Sequence, residues 1–182
     1  MVRLAKRSRL SRAAVVRNVL FLCTGNSARS VLSEVLLNEL GQGSYRAFSA
    51  GSNPTGTVNP GAVRKLAEKG HSTDGLSSKS WDVFSGPDAP AIDIVITVCD
   101  NAAGESCPIW NGSPVTAHWG IPDPACFDDE EARDAAFDLA YTRLRWRIEK
   151  LLALPEDLAA GELQVALTQA HDEARAADVV EI

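Results

Sequence analysis

Apolar and polar positions follow two rhythms along this chain, and the rhythms alternate. Asn18-Val-Leu-Phe-Leu22 is a short apolar run closed by Thr-Gly-Asn, which reads as a buried strand. From Arg29 to Leu40 the period lengthens: Val31, Leu32, Val35, Leu36 and Leu40 fall at helical spacing, and Gly41 stops the run. Tyr45 to Ser49 reads as a second strand ended by Ala-Gly. Pro60 to Lys69 reads as a helix with proline in its first turn and Gly70 beyond its end. Ile92 to Val98 is the most β-branched run and predicts a third strand. Pro114 to His118 is a weaker fourth. Asp128 to Leu154 predicts a long amphipathic helix with Phe137, Tyr141, Leu144, Ile148 and Leu151 on one face.

Strands alternating with helices imply an α/β fold: a four-stranded parallel sheet flanked by helices on both faces. Such sheets bind ligands outside the carboxyl ends of their strands. The segments after strand one (Cys23 to Arg29), strand three (Cys99 to Cys107) and strand four (Gly120 to Asp123) are therefore expected on one edge. Length and charge refine this picture. The 182 residues suit one domain, expected over residues 17–154. Residues 1–16 read as a basic, disordered extension: residues 1–17 carry six bases and no acid, leaving 12 bases against 24 acids in the rest. That acidic body argues against nucleic acid as a partner. There is no apolar run long enough to span a bilayer and no secretory h-region, so a cytoplasmic protein is expected. Residues 155–182 are acidic and rich in helix formers, and read as a helical or frayed tail without chemistry.

The segment Cys23-Thr-Gly-Asn-Ser-Ala-Arg29-Ser30 carries the first chemistry. Spacing alone is weak evidence, but the motif joins a buried strand to an amphipathic helix. Gly25 and Asn26 tolerate positive φ. Successive backbone amides from Thr24 to Ser30 can then point inward as an anion nest at a helix N-terminus. Arg29 would grip two oxygens of a tetrahedral anion through its planar fork. The same positive field favours a Cys23 thiolate, to which Ser30 could donate a hydrogen bond. Four cysteines (Cys23, Cys99, Cys107, Cys126) without an export signal suggest reduced thiols. No Cys-x-x-Cys occurs, and His71, His118 and His171 are widely spaced, so no structural metal is expected.

This loop, together with Ser49-Ala-Gly51 and Asn59-Pro60, resembles the low-molecular-weight protein tyrosine phosphatase superfamily. Val98 to Pro108 and Ala117 to Pro124 narrow the resemblance to its arsenate reductase branch, over roughly Asn18 to Leu152. The resemblance implies Cys23 as nucleophile, Arg29 and the loop amides as oxyanion ligands, and Asp123 as acid. It further implies arsenate as substrate, phosphate as a weak competitor, and electrons from thioredoxin or a glutaredoxin/glutathione system. Some members bind potassium behind the loop through Asn, Glu, Ser and Asp. Asn26, Glu34, Ser49 and Asp82 match those positions, and an ordinary hydrogen-bond network would use the same residues.

Reduction needs two electrons, which thiols can supply. Cys99 ends strand three on the reactive edge and is expected to attack the Cys23 adduct; Cys107 would then relay the disulfide outward. In thioredoxin-coupled members the second and third cysteines stand one residue closer. Cys126 matches no role, and His118 and Trp119 are expected to pack and hydrogen-bond below the loop. Phosphatases of the superfamily usually place an aromatic after Asp-Pro; Ala125 stands here, favouring a small inorganic substrate. Two other readings remain open: a phosphatase with incidental cysteines, and a non-catalytic module that binds an oxyanion or arsenite.

Overall fold

The computed structural model describes residues 16–105 and 108–180; the basic extension over residues 1–15 lies outside it. Strands β1 (Arg17–Cys23), β2 (Tyr45–Gly51), β3 (Ile94–Thr97) and β4 (Val115–His118) form one parallel sheet in the order β2-β1-β3-β4. Helices α1 (Arg29–Leu40), α2 (Pro60–Glu68), the short α3 (Asp100–Ala103), α4 (Glu130–Leu152) and α5 (Ala160–Val180) connect and cover it. All four strands and three helices expected from the pattern are present, within a few residues at their ends. Strand β3 is shorter than its apolar run because Ile92 and Val98 are buried outside the ladder.

Alternation along β1 sorts the core into two layers. Val19 and Phe21 face a large layer with Leu32 and Leu36 of α1, Leu66 of α2, and Phe137, Leu144 and Ile148 of α4. Leu20 and Leu22 face a smaller layer with Ala50, Val95, Phe84 and Trp110. That second face is covered by one turn of 3-10 helix, Trp81–Phe84, whose Phe84 ring packs on Phe48. Local chemistry fixes the helix starts. Asn59 accepts the Gly61 amide at 2.8 Å with Pro60 in the first turn, and Asp129 accepts the Ala132 amide at 2.8 Å.

Helix α2 is bound to α4 by an unusual lysine. The Lys65 ammonium, only 2% exposed, reaches Glu68 (2.7 Å), Asp138 (3.1 Å) and Asp134 (3.2 Å). Burial works against the charge, but the three carboxylates outweigh it and hold the ammonium's pKa well above its ordinary value. Gly61 completes this contact, since a Cβ there would lie 2.4 Å from the Phe137 ring.

The acidic C-terminal segment is not a loose tail. Helix α5 packs on β4, an edge strand, and on α4. It buries Leu163, Leu167, Ala170 and Ala174, and the Leu167 carbonyl accepts the indole N–H of fully buried Trp119 at 3.0 Å. The apolar positions of α5 are spaced for one face, but alanines dominate it, so its period is weak in the sequence. No described helix is long and apolar enough to cross a membrane. If α5 belongs to the core, Leu167→Ala should cost about 2–5 kcal/mol. Guanidinium unfolding would show a lower midpoint with an unchanged slope; an unchanged midpoint would mean that α5 is dispensable.

Candidate active site

The loop after β1 is shaped by what holds its carbonyls. Those of Thr24, Gly25 and Ser27 accept the amides of Asn53 (2.9 Å), Thr55 (3.0 Å) and Asn59 (2.9 Å). The Ser78 hydroxyl adds a 3.1 Å bond to the Gly25 carbonyl. A trans peptide points its C=O and the next N–H in opposite directions. Three carbonyls fastened outward therefore turn the amides of Gly25, Asn26 and Ala28 inward. Asn26 makes the turn at φ 42°, a conformation asparagine tolerates. The loop runs directly into α1, whose N-cap Ala28 makes no side-chain capping bond, so the first-turn amides also stay available to an anion. Gly51 is required by this closeness: a Cβ there would stand 2.4 Å from the Thr24 carbonyl and 2.9 Å from the Asn26 nitrogen.

The nucleophile position is buried and supported from beneath. Cys23 is 4% exposed, and its sulfur lies 2.9 Å from the Ser30 hydroxyl. The Asn26 side-chain amide donates to Ser30 and Ser49, each at 2.9 Å, while its oxygen accepts the Lys79 amide at 2.8 Å. Ser49 in turn donates to Glu34. The fully buried Asn26, Ser30 and Ser49 thus form one satisfied polar chain that ends at the Cys23 sulfur.

The Lys79 ammonium closes this chain, 3.3 Å from Glu34 Oε2 and 3.5 Å from the Ser49 hydroxyl. Asp82, the fourth residue matched to a potassium site, instead accepts the Ser80 hydroxyl at 2.9 Å. A positive charge already stands beside the bonded Glu34 and Ser49, so these residues do not fit a resident potassium ion. Lys79 lies in a Ser-Ser-Lys-Ser stretch with no motif of its own, and sequence reasoning missed it.

The facing loops bring up the remaining residues. Arg29, after the turn, donates Nη1 to the Ile121 carbonyl at 3.1 Å and Nη2 to Asp123 Oδ2 at 2.9 Å. The other Asp123 oxygen accepts the Ala125 amide at 3.0 Å, fixing the carboxylate over the guanidinium. Cys99, 3% exposed, follows β3; its sulfur lies 3.7 Å from the Thr24 hydroxyl and accepts the Ala102 amide at 3.5 Å. His118 is set below this rim, 2.8 Å from the Thr97 hydroxyl and 3.0 Å from Asp100. Trp119 packs on Phe21. Cys126 is exposed and free, away from these contacts, and Cys107 lies outside the described residues. Among the described residues no cluster of three or more histidine, cysteine or acidic side chains could hold a metal.

The structure therefore assembles an inward-facing amide loop, a thiol at its base, a guanidinium–carboxylate pair joining the end of the loop to the facing segment, and a second thiol beside it. The chain belongs to the low molecular weight phosphotyrosine protein phosphatase family, which matches residues 18–164. Within that family it is similar to the arsenate reductase of Bacillus subtilis, 33% identical over 65% of this chain and 82% of the relative. Among solved structures it is similar to an arsenate reductase from Archaeoglobus fulgidus (29% identity, TM-score 0.54, 72% of this chain and 98% of that one). A thioredoxin-dependent arsenate reductase from Corynebacterium glutamicum is also similar (27% identity, TM-score 0.54, 73% of this chain and 60% of that one).

The lysine-closed network makes a prediction about ions. Replacing potassium by sodium should leave the thermal midpoint of the native chain unchanged. Lys79→Met should lower that midpoint and make it respond to potassium. Potassium-dependent melting of the native chain would show that Lys79 does not supply the charge.

Proposed function

We propose that this chain reduces arsenate to arsenite with the Cys23 thiolate and finishes the redox step with further thiols. The observation that carries the proposal is the tethering of the Cys99 sulfur to Thr24, the residue after the nucleophile. A phosphatase has no use for a second thiol at that position; a two-electron reductant does. The similarity to arsenate reductases at 33% identity supports the same reading.

Arsenate is tetrahedral and anionic, so the inward amides suit it, and the guanidinium of Arg29, held by Ile121 and Asp123 at the end of the loop, turns its fork to the anion when it binds. The Cys23 thiolate attacks arsenic, and Asp123 protonates the departing oxygen, which leaves as water. The result is a Cys23–arsenic(V) thioester. The Cys99 thiolate then attacks the Cys23 sulfur. The sulfur–arsenic bond breaks with its electron pair moving to arsenic, which leaves as arsenite, and a Cys23–Cys99 disulfide remains. Cys107 attacks Cys99, frees Cys23 and forms a Cys99–Cys107 disulfide. A thioredoxin-like dithiol reduces that disulfide; the similarity to a thioredoxin-dependent enzyme supports this choice over glutaredoxin and glutathione. Phosphate competes weakly for the loop. The chemistry needs thiols kept reduced, as they are in the cytoplasm. Lys79, rather than potassium, balances Glu34 behind the loop.

Two sets of variants test this. Cys23→Ser should abolish turnover, because an alcohol in the nest is not appreciably ionised. Asp123→Asn should slow the first chemical step by about 10²–10⁴-fold, the usual range for a general acid. An unchanged rate and pH profile would remove Asp123 from the mechanism.

The relay is tested by mass spectrometry after arsenate treatment. Cys107→Ser should trap a Cys23–Cys99 disulfide after one turnover, Cys99→Ser should stop at the Cys23 adduct, and Cys126→Ser should behave as native. Sustained turnover of Cys107→Ser with thioredoxin would disprove the three-cysteine relay. An undiminished arsenate turnover in Cys99→Ser, with fast aryl phosphate hydrolysis, would instead favour the phosphatase reading.

A further inference from the structure

The space in front of Arg29 and Cys99 continues beneath α5 as a cavity of about 610 Å³, a size suited to a small ligand. Its far wall comes from α4 and α5: Arg143, Arg147, His171, Arg175 and Asp178. The α5 residues lie beyond the stretch that matches the family.

The charges on this wall do not balance. Arg29 is matched by Asp123, and His118 by Asp100. Arg143, Arg147 and Arg175 share one lining carboxylate, Asp178, which stands 3.0 Å from Arg143 Nε and 4.0 Å from Arg147 Nη2. Arg147 is fully buried. Its Nε donates to His171 Nδ1 at 3.2 Å and its Nη1 to the Arg143 carbonyl at 2.9 Å. Its Nη2 is buried with no hydrogen-bond partner among the described residues, and the same holds for Arg143 Nε, whose approach to Asp178 is misaligned. A buried guanidinium donor is costly to leave without an acceptor.

The surroundings of Arg147 and His171 fit a positive pocket. Burial, opposed by Asp178 and reinforced by Arg143 and Arg175, draws Arg147 down to about 10. Burial first, then Arg147, His118 and Arg175, draws His171 down to about 4, with Asp172 opposing. His171 is thus neutral at pH 7 and can accept the Arg147 N–H.

We propose that this arginine cluster is a second anion-binding site, which takes the carboxylate or phosphate group of a small ligand. The Nη2 of Arg147, buried and without a hydrogen-bond partner among the described residues, supplies the central donor; Arg143, which shares Asp178 with it, and exposed Arg175 add charge. An occupant lies in the same cavity as Cys99, and so beside the second thiol.

Calorimetric titration of the full chain tests the site, with inorganic phosphate in one arm and succinate in the other. Phosphate should fill two sites in the native protein. Arg29→Met should remove the loop site and leave the second. Arg175→Glu, a change at an exposed position, should leave the loop site and weaken the second about tenfold or more. Filling the second site should also move the His171 ring signals and raise the pH at which they titrate, because an anion offsets the field of Arg147, His118 and Arg175. That shift should persist in Arg29→Met. Phosphate at the second site assigns a free oxyanion as occupant; succinate without phosphate assigns a carboxylate ligand; either supports the site. A single phosphate site that Arg29→Met removes and Arg175→Glu leaves intact, with no succinate binding and no His171 shift, overturns the proposal.

Discussion

The outward anchoring of three carbonyls is the constraint on which the rest of this site depends. A loop of backbone amides does not stay turned toward a common centre unaided, because each peptide would satisfy itself locally or with water. Here Asn53, Thr55 and Asn59 fasten the carbonyls of Thr24, Gly25 and Ser27 from outside. The amide direction follows from peptide planarity and requires no anion to impose it. This is preorganisation in the strict sense: the donors are oriented when the chain folds, not when the substrate arrives. The buried Asn26–Ser30–Ser49 chain serves the same end from below, and the lysine at its end balances the glutamate that anchors it.

Much of this was legible in the sequence, for identifiable reasons. Strand β1 and helix α1 were plain because an unbroken apolar run and a 3.6-residue period cannot be confused at those lengths. The Cys23–Ser30 loop could be placed because the ligand edge of a parallel sheet is fixed by topology. Cys99 and Asp123 fell on that edge for the same reason, and the structure sets both beside the loop. The outward anchors were invisible, since Asn53, Thr55 and Ser78 are ordinary loop residues whose partners are contacts distant in sequence. Lys79 was missed for the same cause. Helix α5 was read as a helical or frayed tail and is a helix; its packing was hidden, because an acidic, alanine-rich segment resembles a solvated tail until its Leu163–Leu167 edge is seen against Trp119.

The arginines of α4 illustrate a further limit of reading one sequence. Arg143 and Arg147 sit four residues apart on a helix, and Arg147 falls on the edge of the stripe that carries Ala140, Leu144 and Leu151. Charge alone makes both look like solvated positions. Helix α5 lays His171 and Asp178 against them, and Arg147 is fully buried while Arg143 is partly so. Charge in a sequence is a count; its cost depends on which later element covers it.

The position of each strand in the sheet has a kinetic side. Strand β1 lies in the interior, bonded to β2 along its length and to β3 from Val19 to Leu22, whereas β4 is one of the two edge strands and is paired on one side only. Local opening is easiest where fewest ladder bonds and least buried surface must be given up. Amide hydrogens around Cys23 will therefore exchange with solvent among the slowest in the molecule, and those leading to Asp123 sooner. The acid-bearing rim can breathe while the anion loop stays assembled, so a product can depart without the nest dissolving between turnovers.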